Sequence, residues 1–253
     1  MAVRFNGTND GLGVTAPPNV LNNVTRATIM AWCRPNGPVT GSPTVFAASI
    51  GPPPGLSGSS RLSIDRQNPS GPINITVRAA DGAGGFGLSG GSGNDYFASE
   101  WQHVAAVIWY DNNVGSVYRN AVLLNGYTLM SLSALVTSAT NPKALAAGAN
   151  EDFLAGFWNG DIEDCRIYNR ALSQEELETI VAAKGADGIV NGLQVRYPMT
   201  DGPPGSTVVT CANVIRDGDI DMAGPLRPLS GAPVFSEGII RGPRNRSSIS
   251  IGY

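Results

Sequence analysis

Several groups of side chains in this sequence have types and spacings that could do chemistry. Asp161-Ile162-Glu163-Asp164 places three carboxylates within four residues, with Arg166 just beyond. On a strand, alternation puts Asp161 and Glu163 on one face and Asp164 with Arg166 on the other. An Asp164–Arg166 ion pair is therefore expected, and catalysis is not. His103 is the chain's one histidine. No serine or cysteine nucleophile motif stands near it, so it is expected to pack and find a hydrogen bond rather than join a triad. The acidic run Asp217-Gly218-Asp219-Ile220-Asp221 lacks the remainder of an EF-hand loop and reads as a solvated turn. Cys33, Cys165 and Cys211 are an odd set without C-x-x-C spacing, which argues for reduced, buried thiols rather than disulfides or zinc. Arg241, Arg244 and Arg246 give the last fifteen residues three cations and no acid, in a chain of formal net charge −3.

The elements that must position these groups are mostly short strands. A length of 253 residues, with 32 Gly, 18 Pro and 15% charged residues, fits an all-β sandwich with many turns. Alternating or β-branched runs at 28–33, 44–50, 61–65, 73–78, 103–109, 115–118 and 162–168 read as strands. Gly51 to Ser60 and the Gly-rich segment from Asp81 to Asn94 read as loops that add nothing to the core. One helix is signposted over about 174–184. Ser173 and Glu176 form a capping box, Leu177, Ile180 and Val181 make an apolar face, and Lys184-Gly185 ends it. It is expected to lie across the end of a sheet. The negative balance gives no attraction to phosphate backbones or membrane surfaces, so neither nucleic acid nor membrane is an expected partner. No stretch approaches the ~20 apolar residues of a spanning helix, and the opening residues lack a secretory layout.

The segment from Phe157 to Ser173, Phe-Trp-Asn-Gly-Asp-Ile-Glu-Asp-Cys-Arg-Ile-Tyr-Asn-Arg-Ala-Leu-Ser, closely resembles the hallmark of laminin-G-like jelly rolls, F-x-G-x-I-D-[DE]-V-R-I-Y-N-R-A-L-S. Further matches occur in the family's order. Val3 to Asp10 resembles L-x-F-D-G-x-x-D, Ala27 to Pro35 resembles F-T-I-S-A-W-V-K-P, Trp101 to Ala106 resembles W-H-H-V-A-A, and Ala147 to Asn150 resembles I-G-A-N. The resemblance runs in register from residue 1 to about 185. Beyond it, Gly192 to Gly202 and Pro228 to Phe235 resemble segments that usually open the family's domain, moved here to the end. The implied fold is a two-sheet antiparallel jelly roll of the concanavalin-A/laminin-G kind over 1–240, in which 193–240 complete the sandwich in permuted order. A second, incomplete repeat is the competing arrangement. Residues 241–253 form a basic tail.

The resemblance also implies site residues. Relatives that hydrolyse glycosides carry a paired-carboxylate motif of the E-x-D-x-x-E type, which this chain lacks. Many relatives hold a calcium ion at the rim, and Asp10 matches a family acidic position, with Asn6 where the family has the preceding aspartate. Asp10 is thus the calcium candidate; no other cofactor is expected. Glycan binding is a common family theme, and the ring candidates in turn-rich contexts are Tyr96, Phe97, Tyr127 and Trp158. Trp32 and Trp101 match core positions. The expected function is a non-enzymatic structural protein on a bacteriophage virion surface, a capsid decoration or tail-associated protein. It would be made in the host cytoplasm and partnered by other virion proteins or its own copies, and could contact cell-surface glycans. Arg241, Arg244 and Arg246 are its expected assembly tail, with the Ser-Ile alternation ending at Ile251 pairing with a neighbour's sheet edge. A free carbohydrate-binding lectin is the alternative, and a degenerate glycoside hydrolase the third class.

Overall fold

The structure is a computed structural model that describes residues 1–14, 20–37, 41–50, 61–66, 72–79, 86–132, 134–137, 143–149, 155–217, 220–221, 225–239 and 249–250. In chain order the strands are β1 (Ala2–Asn6), β2 (Gly11–Val14), β3 (Arg26–Pro35), β4 (Thr44–Ile50), β5 (Arg61–Arg66), β6 (Ile73–Val77), β7 (Phe86–Ser89), β8 (Gln102–Trp109), β9 (Val114–Arg119) and β10 (Val122–Leu123). There follow β11 (Thr128–Leu129), β12 (Lys143–Ala147), β13 (Asn159–Tyr168), helix α1 (Gln174–Ala183), β14 (Leu193–Tyr197), β15 (Ile215–Asp217), β16 (Ile220–Asp221), β17 (Arg227–Ser230), β18 (Val234–Ser236) and β19 (Ile249–Ser250).

Two antiparallel sheets make a jelly-roll sandwich. The nine-stranded sheet runs β10-β9-β8-β3-β13-β1-β18, with β11 also on β9 and β14 also on β13. The seven-stranded sheet runs β17-β2-β12-β4-β5-β6-β7. Alternation aims Ala27, Ile29, Ala31 and Cys33 of β3 inward, against residues such as Phe46, Ile64 and Ile75 of the other sheet. Each of the Ile and Phe side chains among them, fully buried, contributes about 1.5–3 kcal/mol. Cys33, Cys165 and Cys211 are buried free thiols. β14 pairs with β13, β17 with β2 and β18 with β1, so residues after α1 supply strands to both sheets. A third, small sheet holds β16, β15 and β19.

Helix α1 begins with Ser173 accepting the Glu176 amide, while the Glu176 side chain accepts the Ser173 amide. Its left-handed exit starts at Lys184 itself (φ 47°) rather than at Gly185 alone. The helix lies over the outward face of the nine-stranded sheet, where Leu177 and Ile180 pack with Met30, Ala105, Val107 and Tyr168. The Gly-rich stretch after Asp81 departs from expectation: β7 pairs with β6, and Leu88 is a core residue. Leu88 is seated because Gly115 has no Cβ; one built there would lie 2.3 Å from its Cδ1. Gly51 to Ser60 lies outside the described residues.

Candidate functional site

The four rings named as sugar platforms have different fates. Tyr96 and Trp158 are buried and meet edge to face, centroids 5.2 Å apart. Tyr96 Oη donates to the carbonyl of Asp65 at 3.1 Å, and burial pushes its phenol well up. Both are packing residues, because the rim segments carrying them fold into the gap between the sheets. Phe97 is 41% exposed, but the Arg119 guanidinium covers its ring at 3.8 Å from the centroid. Tyr127 alone presents a largely open ring, 66% exposed.

Tyr127 belongs to an aromatic edge of the nine-stranded sheet. Val104, Ala106 and Ile108 of β8 point into the core, so alternation turns Trp109 outward. After Trp109 a 3₁₀ turn over Tyr110–Asn112 ends at Asn113, in the left-handed region at φ 53°. The chain returns through β9 and β10, and β11 pairs back on β9. That return sets Tyr127 edge-on to Trp109, centroids 5.6 Å apart and planes at 63°. Burial, then the nearness of Tyr127 and a hydrogen bond with it, push the Tyr118 phenol up. Directly opposite Trp109 on β3 is Arg26. Its Nε and Nη2 donate to Asp111 Oδ2 at 3.1 and 3.0 Å, and Asp111 Oδ1 has no hydrogen-bond partner among the described residues. A partly exposed ring pair thus stands beside a neutralised carboxylate–guanidinium pair. Trp109, Arg26 and Asp111 were not singled out from the sequence; the alternation of β8 was the available signal.

The carboxylates of β13 are engaged by cations and amides. A bulge between Glu163 and Arg166, with Asp164 at φ 49°, overturns the two-face expectation: Asp164 and Arg166 stand on the α1-bearing side as Asp161 and Glu163 do. The expected Asp164–Arg166 pair forms and is larger than expected. Arg166 also donates to Asp187 at 2.9 and 2.8 Å, and Arg196 Nε donates to Asp164 at 2.8 Å. Burial alone would raise the Asp164 and Asp187 carboxyls, but Arg166 and, to a lesser degree, Arg196 hold both below their usual range. Asp161 accepts from Arg4, Arg34 and Ser236. Glu163 accepts from the Met1 amino group and the Ile239 amide.

His103 packs edge to face on Trp32 at 5.3 Å. Its Nδ1 has no hydrogen-bond partner among the described residues, and burial lowers its pKa to about 3. Trp101, expected in the core, is half-buried with the Arg34 guanidinium 5.1 Å from its ring centroid. On the outward face of the seven-stranded sheet, a polar lattice escaped the sequence reading. Asp65 accepts from Ser63 Oγ, Asn74 Nδ2 and Thr76 Oγ1 at 2.9, 2.7 and 2.8 Å. Burial outweighs these donors and pushes its carboxyl up. The period-2 polar positions of β5 and β6 were its signal. Arg241, Arg244 and Arg246 lie outside the described residues. The expected terminal strand exists as β19, and it pairs in parallel with β15 of its own chain. Asp217 and Asp221 fall in the antiparallel β15–β16 pair, and Asp219 lies outside the described residues.

The family described as the concanavalin A-like lectin/glucanases superfamily matches residues 6–178. The chain belongs to this superfamily. No curated protein matches it. Among solved structures, a heptameric SAP-like pentraxin from Limulus polyphemus is 16% identical with a TM-score of 0.54, over 80% of this chain and 89% of the pentraxin. A proposed carbohydrate-binding protein of Bacteroides ovatus is 12% identical with a TM-score of 0.58, over 93% of this chain and 61% of its own. Domain 4 of AbnA, a GH43 extracellular arabinanase from Geobacillus stearothermophilus solved with arabinotriose, is 20% identical with a TM-score of 0.52, over 71% and 76%. These likenesses are likenesses of fold.

In this superfamily member, Asp10 clamps two loops. Its Oδ2 accepts the Asn6 amide and its Oδ1 the Ala232 amide, both at 2.9 Å. Asn6 Oδ1 meanwhile accepts the amides of Thr8, Asn9 and Asp10. Gly231, at φ 65°, lets the second loop approach, since a Cβ there would lie 2.2 Å from Asp10 Oδ1. Each Asp10 carboxylate oxygen thus accepts one backbone amide. Among the described residues no three His, Cys, Asp or Glu side chains gather into a metal site.

Proposed function

We propose that this chain is a non-catalytic, lectin-like module that binds glycans at the Trp109–Tyr127 edge. The observation that carries the proposal is the exposed Tyr127 ring braced by Trp109 beside Arg26–Asp111. An aromatic face stacks on the apolar face of a sugar, and an adjacent carboxylate–guanidinium pair exchanges hydrogen bonds with hydroxyls. Membership of a lectin/glucanase superfamily and the arabinotriose bound by the AbnA domain support the reading. On a glycan array and by calorimetry, Tyr127→Ala should weaken binding at least tenfold with its melting temperature unchanged. Undiminished binding by that variant would move the site elsewhere.

For its setting we propose the surface of a bacteriophage virion, where the module would hold the particle to host glycans. One observation favours the free-lectin alternative: β19, the strand expected to reach a neighbour, is paired within its own chain. Light scattering of the whole chain and its co-sedimentation with particles separate the two settings.

A further inference from the structure

We propose that Arg4 and Arg34 form a second binding site, for the carboxylate or sulfate group of an acidic polysaccharide, on the α1-bearing face of the nine-stranded sheet. Arg26 and Arg34 lie on the same face of β3, eight residues apart. The new site therefore stands about 26 Å from the Trp109–Tyr127 edge, with the Met30 and Tyr168 contacts of α1 between them.

Arg4, Asp161 and Arg34 are direct cross-strand neighbours on β1, β13 and β3. Arg4 donates through Nε and Nη2 to Asp161 at 2.9 and 3.0 Å. Arg34 donates through the same two nitrogens at 2.9 and 2.7 Å. Ser236 Oγ adds a fifth donor at 2.6 Å. A carboxylate has about four lone-pair sites, so Asp161, which is 2% exposed, is saturated. One carboxylate neutralises one guanidinium, and the ladder keeps one net positive charge. A purely structural ion pair needs only one of the two arginines.

Both guanidinia are held by the same edge, and their Nη1 groups are bonded to none of the described residues. The side chains remain 49% and 30% exposed. Fixed donors on the strands flanking β13, with Cα atoms roughly 9–10 Å apart, can close on one oxyanion at little entropic cost. Trp101, half-buried under Arg34, holds that guanidinium in place through its ring. The assignment to an acidic glycan rather than an acidic peptide rests on the glycan-binding function proposed above.

The test is calorimetry on the whole chain at low and high salt, with polygalacturonate for carboxylates, dextran sulfate for sulfates, dextran as neutral control and poly-glutamate as acidic peptide. Arg4→Gln and Arg34→Gln are made singly, because each leaves Asp161 with one arginine and Ser236. We expect binding of polygalacturonate, dextran sulfate or both that weakens as salt rises, and that falls about tenfold in either variant while each variant keeps a cooperative melt and the wild-type circular dichroism. Tyr127→Ala should leave this binding intact, which separates it from the proposal above. Equal binding of dextran, unaltered affinity in both arginine variants, or no binding of either acidic polysaccharide overturns the site. Poly-glutamate binding as tightly as the polysaccharides overturns its assignment to a glycan.

Discussion

His103 offers a direct test of the packing on the outward face of the nine-stranded sheet. It is the chain's single histidine, 1% exposed, and burial lowers its pKa from 6.5 to about 3. Between those values the unfolded chain carries a proton on His103 that the folded chain refuses. The stability contributed by keeping the ring neutral is therefore complete above pH 6.5 and is lost as pH falls toward 3. The full difference corresponds to about 5 kcal/mol, of which about 2 kcal/mol falls between pH 7.5 and 5.0. Asp161, Asp164 and Asp187 are held below their usual range, so their losses begin only below about pH 4. Asp65 is pushed the other way, and subtracting a nontitrating variant cancels it. Urea unfolding at the two pH values should show the wild type losing about 2 kcal/mol more than His103→Gln. In the folded protein, the imidazole proton resonances should not titrate between pH 8 and 4.5. A native titration near 6.5, or equal pH sensitivity in both proteins, would refute the buried neutral imidazole.

Trp158→Ala should cost about 3–5 kcal/mol in chemical denaturation, since the ring is fully buried. Trp101→Ala should cost less than half as much, because that ring lies half-buried under Arg34; equal costs would mean the core is misplaced. Asp187→Ala removes one of the two aspartates on buried Arg166, and calorimetric melting should report a loss of about 3–5 kcal/mol. Asp10→Ala should cost about 1–3 kcal/mol by orphaning the Asn6 and Ala232 amides, whereas adding a chelator to the wild type should leave its melting temperature unchanged. A chelator-induced drop would instead make Asp10 a calcium ligand.

Much of the architecture was determined by the sequence alone, because its signals are local. The capping box at Ser173 and Glu176 and the strand patterns of 73–78 and 103–109 depend on dihedral preference and side-chain period, which neighbours in the chain set. The resemblance of Phe157 to Ser173 to the laminin-G-like hallmark located β13 and the turn into α1. What needed the tertiary structure is whatever depends on which surfaces meet. Tyr96 and Trp158 carry aromatic rings in the same turn-rich surroundings as Tyr127, yet two close on each other inside the sandwich and one faces solvent. The bulge at Asp164 is one residue of extra length in a ladder, and it moves Arg166 to the side where Asp187 and Arg196 wait, 21 and 30 residues along the chain. Arg4 and Arg34 are 30 residues apart and acquire meaning only because β13 runs between their strands. Local sequence specifies which way a side chain leaves its own strand; the opposing sheet, its register and its loops decide what that side chain meets.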